Sequence, residues 1–140
     1  MADKLSPQAR SANMARVRNR DTRPEMLVRR LTHGLGYRYG LHRPELPGKP
    51  DLVFRSRRKV IFVHGCFWHR HPQCRRATVP KSNREFWNSK LQKNTDRDAA
   101  QLAALEAAGW RTLVIWECQT KDMEQLTQTI RSFLEHRHPE

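Results

Sequence analysis

Residues 60 to 74 read VIFVHGCFWHRHPQC, and this stretch changes character after its fourth residue. The run from Val60 to Val63 has the β-branched and aromatic side chains that favour a buried strand. It leads directly into a segment with three histidines, two cysteines and the adjacent aromatic pair Phe67 and Trp68. The stretch therefore predicts a core strand that ends in a loop suited to hold a metal ion.

The charge of the chain indicates a polyanionic partner. With 27 Lys and Arg against 14 Asp and Glu, the 140 residues carry a formal charge of +13, which favours nucleic acid above other partners. The basic residues are spread from Arg10 to Arg137, so we expect the charge to belong to the folded body. A chain of this length is expected to form one domain with a substantial core.

Two further features bear on the compartment. No apolar run approaches the roughly 20 residues that span a bilayer, and the N-terminus lacks the apolar region of a signal peptide. We therefore expect a cytoplasmic protein with no membrane partner. Three cysteines, Cys66, Cys74 and Cys118, are an odd number for disulfides in a reducing compartment, so metal ligation explains them better.

Helix signals precede a group of strands in the first half of the chain. A basic helix is predicted from Ser6 to about Arg18, and Thr22-Arg23-Pro24-Glu25 reads as a capping box for a second helix that ends near Gly34. Three strands are predicted next, at residues 37–42, 51–54 and 59–64. The last two would form a hairpin. The basic residues of its turn, Arg55, Arg57, Arg58 and Lys59, would contact phosphates or lie in solvent.

The second half of the chain predicts two more helices around one strand. Ser82-Asn83-Arg84-Glu85 reads as a capping box for a long helix to about Ala108, and Thr120 is the expected cap of a last helix. Residues 112–116 lie between them as a strand. Early strands followed by a helix that crosses to one further strand describe an α/β fold, with a mixed sheet flanked by helices.

Polar residues occupy positions where the pattern favours apolar ones. The inward face of the long helix is marked at helical spacing by Trp87, Leu91, Leu102 and Leu105. Asn94 and Asp98 fall on that same face. A buried carboxylate without a partner is costly, so Asp98 needs a counter-charge, a metal or a catalytic role. An ion pair with an arginine is the structural alternative.

Two other carboxylates raise the same question. Asp51 follows a Pro-Gly-Lys-Pro turn and precedes a strand, so it is expected at the rim of the sheet, where it could bind a metal. An Asp that caps a turn is the alternative. Glu25 stands at the third position after Thr22, where a capping box itself accounts for a glutamate.

The cysteines and one histidine fit a tetrahedral zinc site. Three thiolates need a fourth ligand, and the spacing Cys66-x4-His71-x2-Cys74, with Cys118 from the end of the last strand, supplies it. Such a Cys3His site has no open position, so its zinc would be structural. Unliganded buried cysteines are the alternative.

Two histidines and two aromatic residues remain in the same loop. His64 and His69 become candidates for general acid–base chemistry, because imidazole titrates near neutral pH, although they could also be solvated loop residues. Phe67 and Trp68 would be presented rigidly by the metal loop, as apolar wedges that unstack DNA bases require. Packing into the core is the alternative for this pair.

Four segments of the chain resemble the very short patch repair endonucleases. They are HGCFWHRHPQC at 64–74, ELPGKPDLVF at 45–54, KNTDRD at 93–98 and WEC at 116–118, and the likeness extends from about Ser11 to the last helix. The resemblance implies a restriction-endonuclease-like fold. It also implies a magnesium-dependent nick on the 5′ side of the thymine in a T·G mismatch, within a cytosine-methylation context, at the start of very short patch DNA repair.

The same resemblance implies roles for the residues singled out above. Asp51 would bind Mg²⁺ together with the backbone carbonyl of Val63, and His69 would be the general base or proton shuttle. Its supporting catalytic residues would be His64, Glu25 and Asp98. Structural zinc would be held by Cys66, His71, Cys74 and Cys118. DNA would be contacted by Phe67, Trp68, Met14 and Asn94.

Two departures from the family pattern bear on these roles. Position 63 is Val where a member of the family has Thr, a change that a carbonyl ligand tolerates. Pro72 and Gln73 place two residues between His71 and Cys74 where some members have one, so His69 is the alternative zinc ligand. In that case His71 would take the catalytic role.

The predicted organisation is a basic DNA-contacting segment at residues 1–20 and one endonuclease domain at residues 21–140. The substrate would be double-stranded DNA with a T·G mismatch, mismatch-repair proteins are candidate partners, and the enzyme would be a monomer associated with the bacterial nucleoid. Two alternatives stay open. One is a zinc-stabilised restriction-type nuclease that cuts matched DNA at a specific sequence, and the other is a zinc DNA-binding module without catalysis.

Overall fold

The computed structural model describes residues 22–136, which form a mixed α/β fold. The helix predicted from Ser6 to Arg18, and Met14 within it, lie outside the described residues. Within residues 22–136 there are three α-helices: α1 (Arg23–Gly34), α2 (Arg84–Ala107) and α3 (Met123–Glu135). The same part of the chain contains three strands: β1 (Leu52–Phe54), β2 (Lys59–His64) and β3 (Arg111–Trp116).

The sheet is mixed, as the order of elements predicts. β1 pairs antiparallel with β2, with Leu52 opposite Ile61, and a short 3₁₀ helix at Arg55–Arg57 closes the hairpin. β2 pairs parallel with β3, with Ile61 opposite Leu113. β2 is therefore the central strand, and α2 makes the crossover that a parallel pair requires.

Alternate side chains along the strands point to opposite faces of the sheet and form two apolar layers. Leu52, Phe54 and Ile61 pack on one face of the sheet with residues of α1 and α3, among them Val28 and Ile130. The other face carries a smaller layer of five buried residues, which are Val53, Val60, Phe62, Leu105 and Trp110. Because both faces of β2 are covered, its near-continuous apolar run is explained by burial on two sides.

α1 begins where the sequence predicts. The Thr22 Oγ1 accepts a hydrogen bond of 3.3 Å from the backbone N–H of Glu25, and Pro24 occupies the first turn, where its missing N–H costs nothing. The helix ends at Gly34, and Val28 on its inner face is fully buried. This capping and packing orient the first turn of α1 toward the sheet.

The prediction of a strand at residues 37–42 is wrong, because this segment forms no continuous strand pairing. Within the described residues this segment contributes one bridging residue, Gly40, which exchanges two backbone hydrogen bonds of 2.8 Å with Val53. His42 then takes a left-handed backbone with φ of 43°, which a continuing strand does not allow. The chain turns at this point toward the end of β2.

Two predicted caps are also wrong. The capping box that begins at Ser82 does not cap α2: the helix begins at Arg84, Asn83 takes the N-cap position with a left-handed backbone, and its side chain makes no capping hydrogen bond in the described part of the chain. Thr120 lies inside a 3₁₀ helix at Glu117–Lys121, so Asp122 caps α3 instead and accepts a bond of 3.1 Å from Gln125 N–H. At the start of both helices, the backbone forms a local turn in place of the capping motif that the amino-acid sequence predicts.

The basic residues of the β1–β2 hairpin mostly bind the protein itself. Arg57 donates to the Leu134 carbonyl at 3.0 Å, and Arg58 donates to the Ala108 carbonyl at 2.9 Å. Lys59 is 5% exposed, and its Nζ donates to the carbonyls of Phe133 at 2.6 Å and Leu134 at 3.2 Å. These cations satisfy carbonyls at helix C-termini, which have no partner within the helix itself.

Lys59→Met is expected to reduce the free energy of unfolding by about 1 to 3 kcal/mol, because buried carbonyls of α3 lose a charged donor while the apolar stem is kept. Urea denaturation measures the change. Lys90→Met at an exposed position of α2 is the matched control and should stay within about 0.5 kcal/mol of the wild type. Equal effects of the two substitutions would contradict the capping role.

Candidate active site

An open cleft of about 990 Å³ lies at the end of β2. Its walls come from the segment before β1, the end of β2, the loop that follows it, and one face of α2. The polar lining residues include Asp51, His64, His69, Asp98 and His42, together with the basic residues Lys49 and Arg97. Carboxylates and imidazoles therefore meet cations in one cleft that is open to a large ligand.

Asp51 completes the edge of the sheet with its side chain. Its Oδ2 accepts a hydrogen bond of 2.6 Å from the backbone N–H of Val63. Extending the β1–β2 register by two residues would place Pro50 opposite Val63, and proline has no N–H to offer the Val63 carbonyl. Since the N–H and C=O of one strand residue point the same way, that carbonyl faces the Asp51 side.

A second carboxylate lies beside Asp51. Glu25, in the first turn of α1, is 2% exposed, and its Oε2 is paired with the Arg29 guanidinium. The same Oε2 is 2.9 Å from His42 Nε2, and His42 Nδ1 is 4.0 Å from Asp51 Oδ1. Glu25, His42 and Asp51 thus bring three potential ligand atoms together, within 4.8 Å of one another.

The environment of Asp51 opposes its ionisation. Burial raises the pKa of its carboxyl to about 8, the Val63 N–H acts in the opposite direction, and the neighbouring Glu25 raises it further. A bound cation would reverse this balance, because it compensates both the lost hydration and the repulsion between the two carboxylates. The oxygen-rich edge formed by Asp51 and the Val63 carbonyl therefore suits a hard divalent cation.

His69 and Asp98 form a pair on the other side of the cleft. His69 Nδ1 is 2.6 Å from Asp98 Oδ2, and the ring of His64 stacks on that of His69 with centroids 3.8 Å apart. The carboxylate favours the tautomer in which Nδ1 carries the proton, so Nε2 is the basic nitrogen. Burial, followed by the proximity of His69, lowers the pKa of His64 to about 4, so His64 is neutral at neutral pH.

A second cluster joins the loop to the end of β3. Cys66, His71, Cys74 and Cys118 bring their ligand atoms within 4.8 Å of one another. Backbone hydrogen bonds from His71 N–H to the Cys66 carbonyl and from Cys74 N–H to the His71 carbonyl fold the loop, and Cys118 comes from the 3₁₀ helix after β3. The His71 ring also stacks on Trp116, with centroids 4.2 Å apart.

The geometry of this cluster fits the donor set of zinc. Zn–S and Zn–N bonds of about 2.3 and 2.0 Å in a tetrahedron separate the two ligand atoms by about 3.5 Å. His71 Nδ1 and Cys118 Sγ are 3.5 Å apart. The structure brings His71 to the cysteines and places His69 in the cleft with Asp98, so the two histidines are separated in space although they are two residues apart.

Four aromatic rings form a cluster beside the cleft. Phe67 and Trp68 each make an edge contact with Trp87 of α2, with centroids 5.5 and 6.0 Å apart, and Phe86 covers Trp87. Phe67, Trp68 and Trp87 are half-buried, whereas Phe86 is 58% exposed. Asn94, predicted as a DNA contact, donates a hydrogen bond of 3.1 Å to the Trp68 carbonyl and so supports this cluster.

Two residues of this region, His42 and Trp87, are not predicted from the sequence to have a functional role. His42 carries no local signal, because its partner Glu25 is 17 positions away and the turn that brings them together is irregular. Trp87 fits the apolar stripe of α2 and therefore reads as core, although its ring lies in the aromatic cluster. Its neighbour Phe86 lies off the apolar stripe of α2, and this position is the one signal in the sequence that aromatic side chains reach the surface of the helix.

A carboxylate at a sheet edge, a His–Asp pair in an open basic cleft and an adjacent aromatic cluster are compatible with a nuclease that acts on DNA. The chain belongs to the DNA mismatch endonuclease Vsr family, whose sequence model matches residues 2–76. It is accordingly a DNA endonuclease. Within residues 22–136, no helix has the length and apolarity to cross a membrane.

Three relatives cover most of the chain. The type II nicking enzyme V.XorIIP of Xanthomonas oryzae pv. oryzae is 50% identical over 135 residues, which are 96% of this chain and 98% of the relative. The DNA mismatch endonuclease Vsr of Escherichia coli is 42% identical over 127 residues, or 91% and 81% of the two chains. The nicking enzyme V.NmeAIP of Neisseria meningitidis is 37% identical over 94% of this chain and 96% of its own.

Asp51→Asn is expected to stabilise the protein when no Mg²⁺ is added, and more so at high pH. Between about pH 4 and pH 8 the folded wild type holds a proton that an unfolded Asp, with a pKa of 3.8, has lost, so its stability falls as the pH rises. Asn does not titrate, so the advantage of the variant in urea unfolding should grow by at least about 1 kcal/mol from pH 5 to pH 8.

Asp96→Asn, at an exposed position of α2, is the matched control for this experiment. Its stability should follow that of the wild type within about 0.5 kcal/mol at both pH values. A difference between Asp51→Asn and wild type that does not change with pH would contradict the raised pKa of Asp51.

Proposed function

We propose that this endonuclease is magnesium-dependent and nicks one strand of DNA on the 5′ side of the thymine in a T·G mismatch, which starts very short patch repair. The observation that carries the proposal is the pairing of Asp51 with Val63 opposite the His69–Asp98 pair in one basic cleft. The name of the Escherichia coli relative, a mismatch endonuclease, supports the choice of substrate. The proposed architecture is restriction-endonuclease-like.

Asp51 and the Val63 carbonyl would hold Mg²⁺, with Glu25 beside them. When bound, the cation polarises the scissile phosphate and stabilises the charge on the leaving oxygen. The protein supplies few carboxylates, which suits Mg²⁺ because it retains several waters and takes phosphate oxygens as ligands. Lys49 and Arg97 line the same cleft and would attract the DNA backbone, with an affinity that falls as salt rises.

His69 is the proposed general base. Asp98 holds its Nδ1 proton, so Nε2 can accept a proton from the attacking water, and the carboxylate then stabilises the imidazolium that forms. His64 fills the space behind His69 as a stacked neutral ring. A neutral neighbour matters because a second imidazolium would oppose protonation of His69.

The proposed zinc centre is closed by Cys66, His71, Cys74 and Cys118, so its role would be structural. Phe67, Trp68 and His69 all lie between the first two ligands in the sequence. The zinc would therefore fix the positions of both the aromatic cluster and the proposed base. It would do so in a loop whose length alone would permit many conformations.

The aromatic cluster is the proposed wedge. Phe67 and Trp68 would enter the stack beside the mismatch, and Trp87 with Asn94 would support them from α2. A mismatched step unstacks more easily than a paired one, so insertion contributes to substrate choice. Met14 of the proposed DNA-contacting segment 1–20 would act from outside the described residues. The enzyme would act as a monomer on nucleoid DNA in the cytoplasm, with mismatch-repair proteins as candidate partners.

Nicking of labelled duplexes tests the proposed reaction. With Mg²⁺, the protein should nick a duplex carrying one T·G mismatch, in the thymine strand only, and should leave the same duplex with a T·A pair intact. Asp51→Asn should reduce the rate by at least about 100-fold and keep DNA binding, since the cation site is lost while the basic surface is unchanged. Asp96→Asn on the exposed face of α2 should nick like the wild type.

The alternatives give different results in this assay. Cleavage of both strands of the paired duplex would support a restriction-type nuclease. Binding of both duplexes without cleavage would support a DNA-binding module. Either outcome would overturn the proposed reaction, and loss of binding in Asp51→Asn would show that Asp51 is structural.

Metal content tests the zinc centre separately. The purified protein should contain about one zinc per chain, and His71→Gln should lose it together with thermal stability, because the site is part of the folded structure. His69→Gln should keep its zinc and lose nicking. Zinc loss from His69→Gln, with zinc retained in His71→Gln, would exchange the roles of the two histidines.

A further inference from the structure

We propose that His42 is a nitrogen ligand of the divalent cation at Asp51, and that Glu25 orients its ring. This inference rests on the proposed function, because it takes Asp51 as a cation ligand. It adds a ligand of a different chemical class to a site otherwise made of oxygen atoms. A nitrogen ligand changes which cations the site prefers.

The position of the ring carries the inference. His42 Nε2 lies 2.9 Å from Glu25 Oε2, a hydrogen-bond distance, so the ring can donate its proton there. Arg29 Nη2 is equally close to Nε2, at 2.9 Å, and a cation bound at Nδ1 would select the tautomer in which Nε2 donates to Glu25. Nδ1 lies 4.0 Å from Asp51 Oδ1. That distance is too long for a hydrogen bond but fits two ligand atoms at about 2.1 Å from one cation, on nearly opposite sides of it.

Glu25 and Arg29 surround His42 in the way that hydrogen-bond partners usually surround a metal-binding histidine. Histidines that bind metals usually donate the second ring N–H to a carboxylate, which fixes the tautomer and raises the basicity of the ligating nitrogen. Glu25 is the carboxylate here, it is 2% exposed, and the Arg29 guanidinium is paired with the same oxygen. Arg29 Nη2 pairs with Glu25 Oε2 and also lies 2.9 Å from His42 Nε2, so the guanidinium, the carboxylate and the imidazole form one cluster.

The backbone of His42 adds an independent observation. Its φ of 43° lies in the left-handed region, which is uncommon for residues other than glycine. Such conformations concentrate at functional sites, where the surrounding structure holds them. Here the turn ends the short pairing at Gly40 and brings the imidazole to the cleft, where it lines the wall beside Asp51.

Manganese is the appropriate probe, because it accepts the oxygen ligands of Mg²⁺ and also binds imidazole. Mn²⁺ should be titrated into the zinc-loaded full-length protein, with bound and free ion counted by electron paramagnetic resonance. Electron spin-echo modulation from ¹⁴N then reports whether a nitrogen is bound directly to the ion. We expect this modulation in the wild type.

The variants assign the nitrogen to a residue. His42→Asn keeps a side chain that tolerates the left-handed backbone, and it should lose the ¹⁴N modulation and weaken Mn²⁺ binding by about tenfold or more. Mg²⁺, measured by competition, should lose less affinity, so the preference for Mn²⁺ over Mg²⁺ should fall. His33→Asn, at an exposed position of α1, should resemble the wild type.

The outcomes separate this inference from the proposed function. Bound Mn²⁺ without ¹⁴N modulation in the wild type, or with modulation that persists in His42→Asn, would overturn the role of His42 and leave Asp51 as a cation ligand. Failure of the wild type to bind Mn²⁺, or tight binding that persists in Asp51→Ala, would contradict the proposed cation site itself. If His42→Asn does not fold, His42→Gln is the second variant that assigns the nitrogen, and a wild-type spectrum without ¹⁴N modulation overturns the role of His42 without any variant.

Discussion

The hydrogen bond from the Val63 N–H to Asp51 Oδ2 is the interaction on which the site depends. β1 begins at Leu52, so β2 extends beyond its partner, and a side chain takes over the pairing that the backbone of Pro50 cannot complete. The cost is a carboxylate held in a buried position, with its pKa raised and a second carboxylate beside it. A cation at this edge would remove that cost, and the proposed cation site therefore lies where the strand pairing ends.

The loop after β2 positions the proposed base and the aromatic side chains of the site. Ligands of the proposed zinc centre alternate in sequence with the groups that face the cleft and the aromatic cluster, so Cys66 precedes Phe67, Trp68 and His69, and His71 follows them. Neighbouring side chains in such a tight loop point in different directions. One segment can therefore serve a structural centre and an active site, provided that the ring of His69 is held by Asp98 of α2.

The parts of this fold that follow from local chemistry are predictable from the sequence. Thr22 caps α1, the apolar run of β2 is buried on both faces, and the carboxylate of Asp98 on the inner face of α2 has a partner, as its position requires. The failures occur where local turns compete with a motif. Asn83, with a left-handed backbone, takes the place expected of Ser82 before α2, and Asp122 replaces Thr120 as the cap of α3.

The rest of the site depends on contacts that the sequence does not encode locally. The placement of His42 against Glu25 joins two segments through an irregular turn, and neither segment has a periodicity that would predict it. The sequence also does not predict which of His69 and His71 faces the cysteines, because the spacing of both histidines fits a zinc ligand. Only the packing of the loop against α2 and β3 distinguishes them.

The proposed function requires that this chain hold two chemically different metals in two separate sites. Anomalous diffraction from crystals grown with Mn²⁺, measured at the zinc and manganese absorption edges, tests it most directly. We expect a zinc signal at Cys66, His71, Cys74 and Cys118, and a manganese signal beside Asp51 and the Val63 carbonyl. A manganese signal between His64, His69 and Asp98, with none at Asp51, would contradict it.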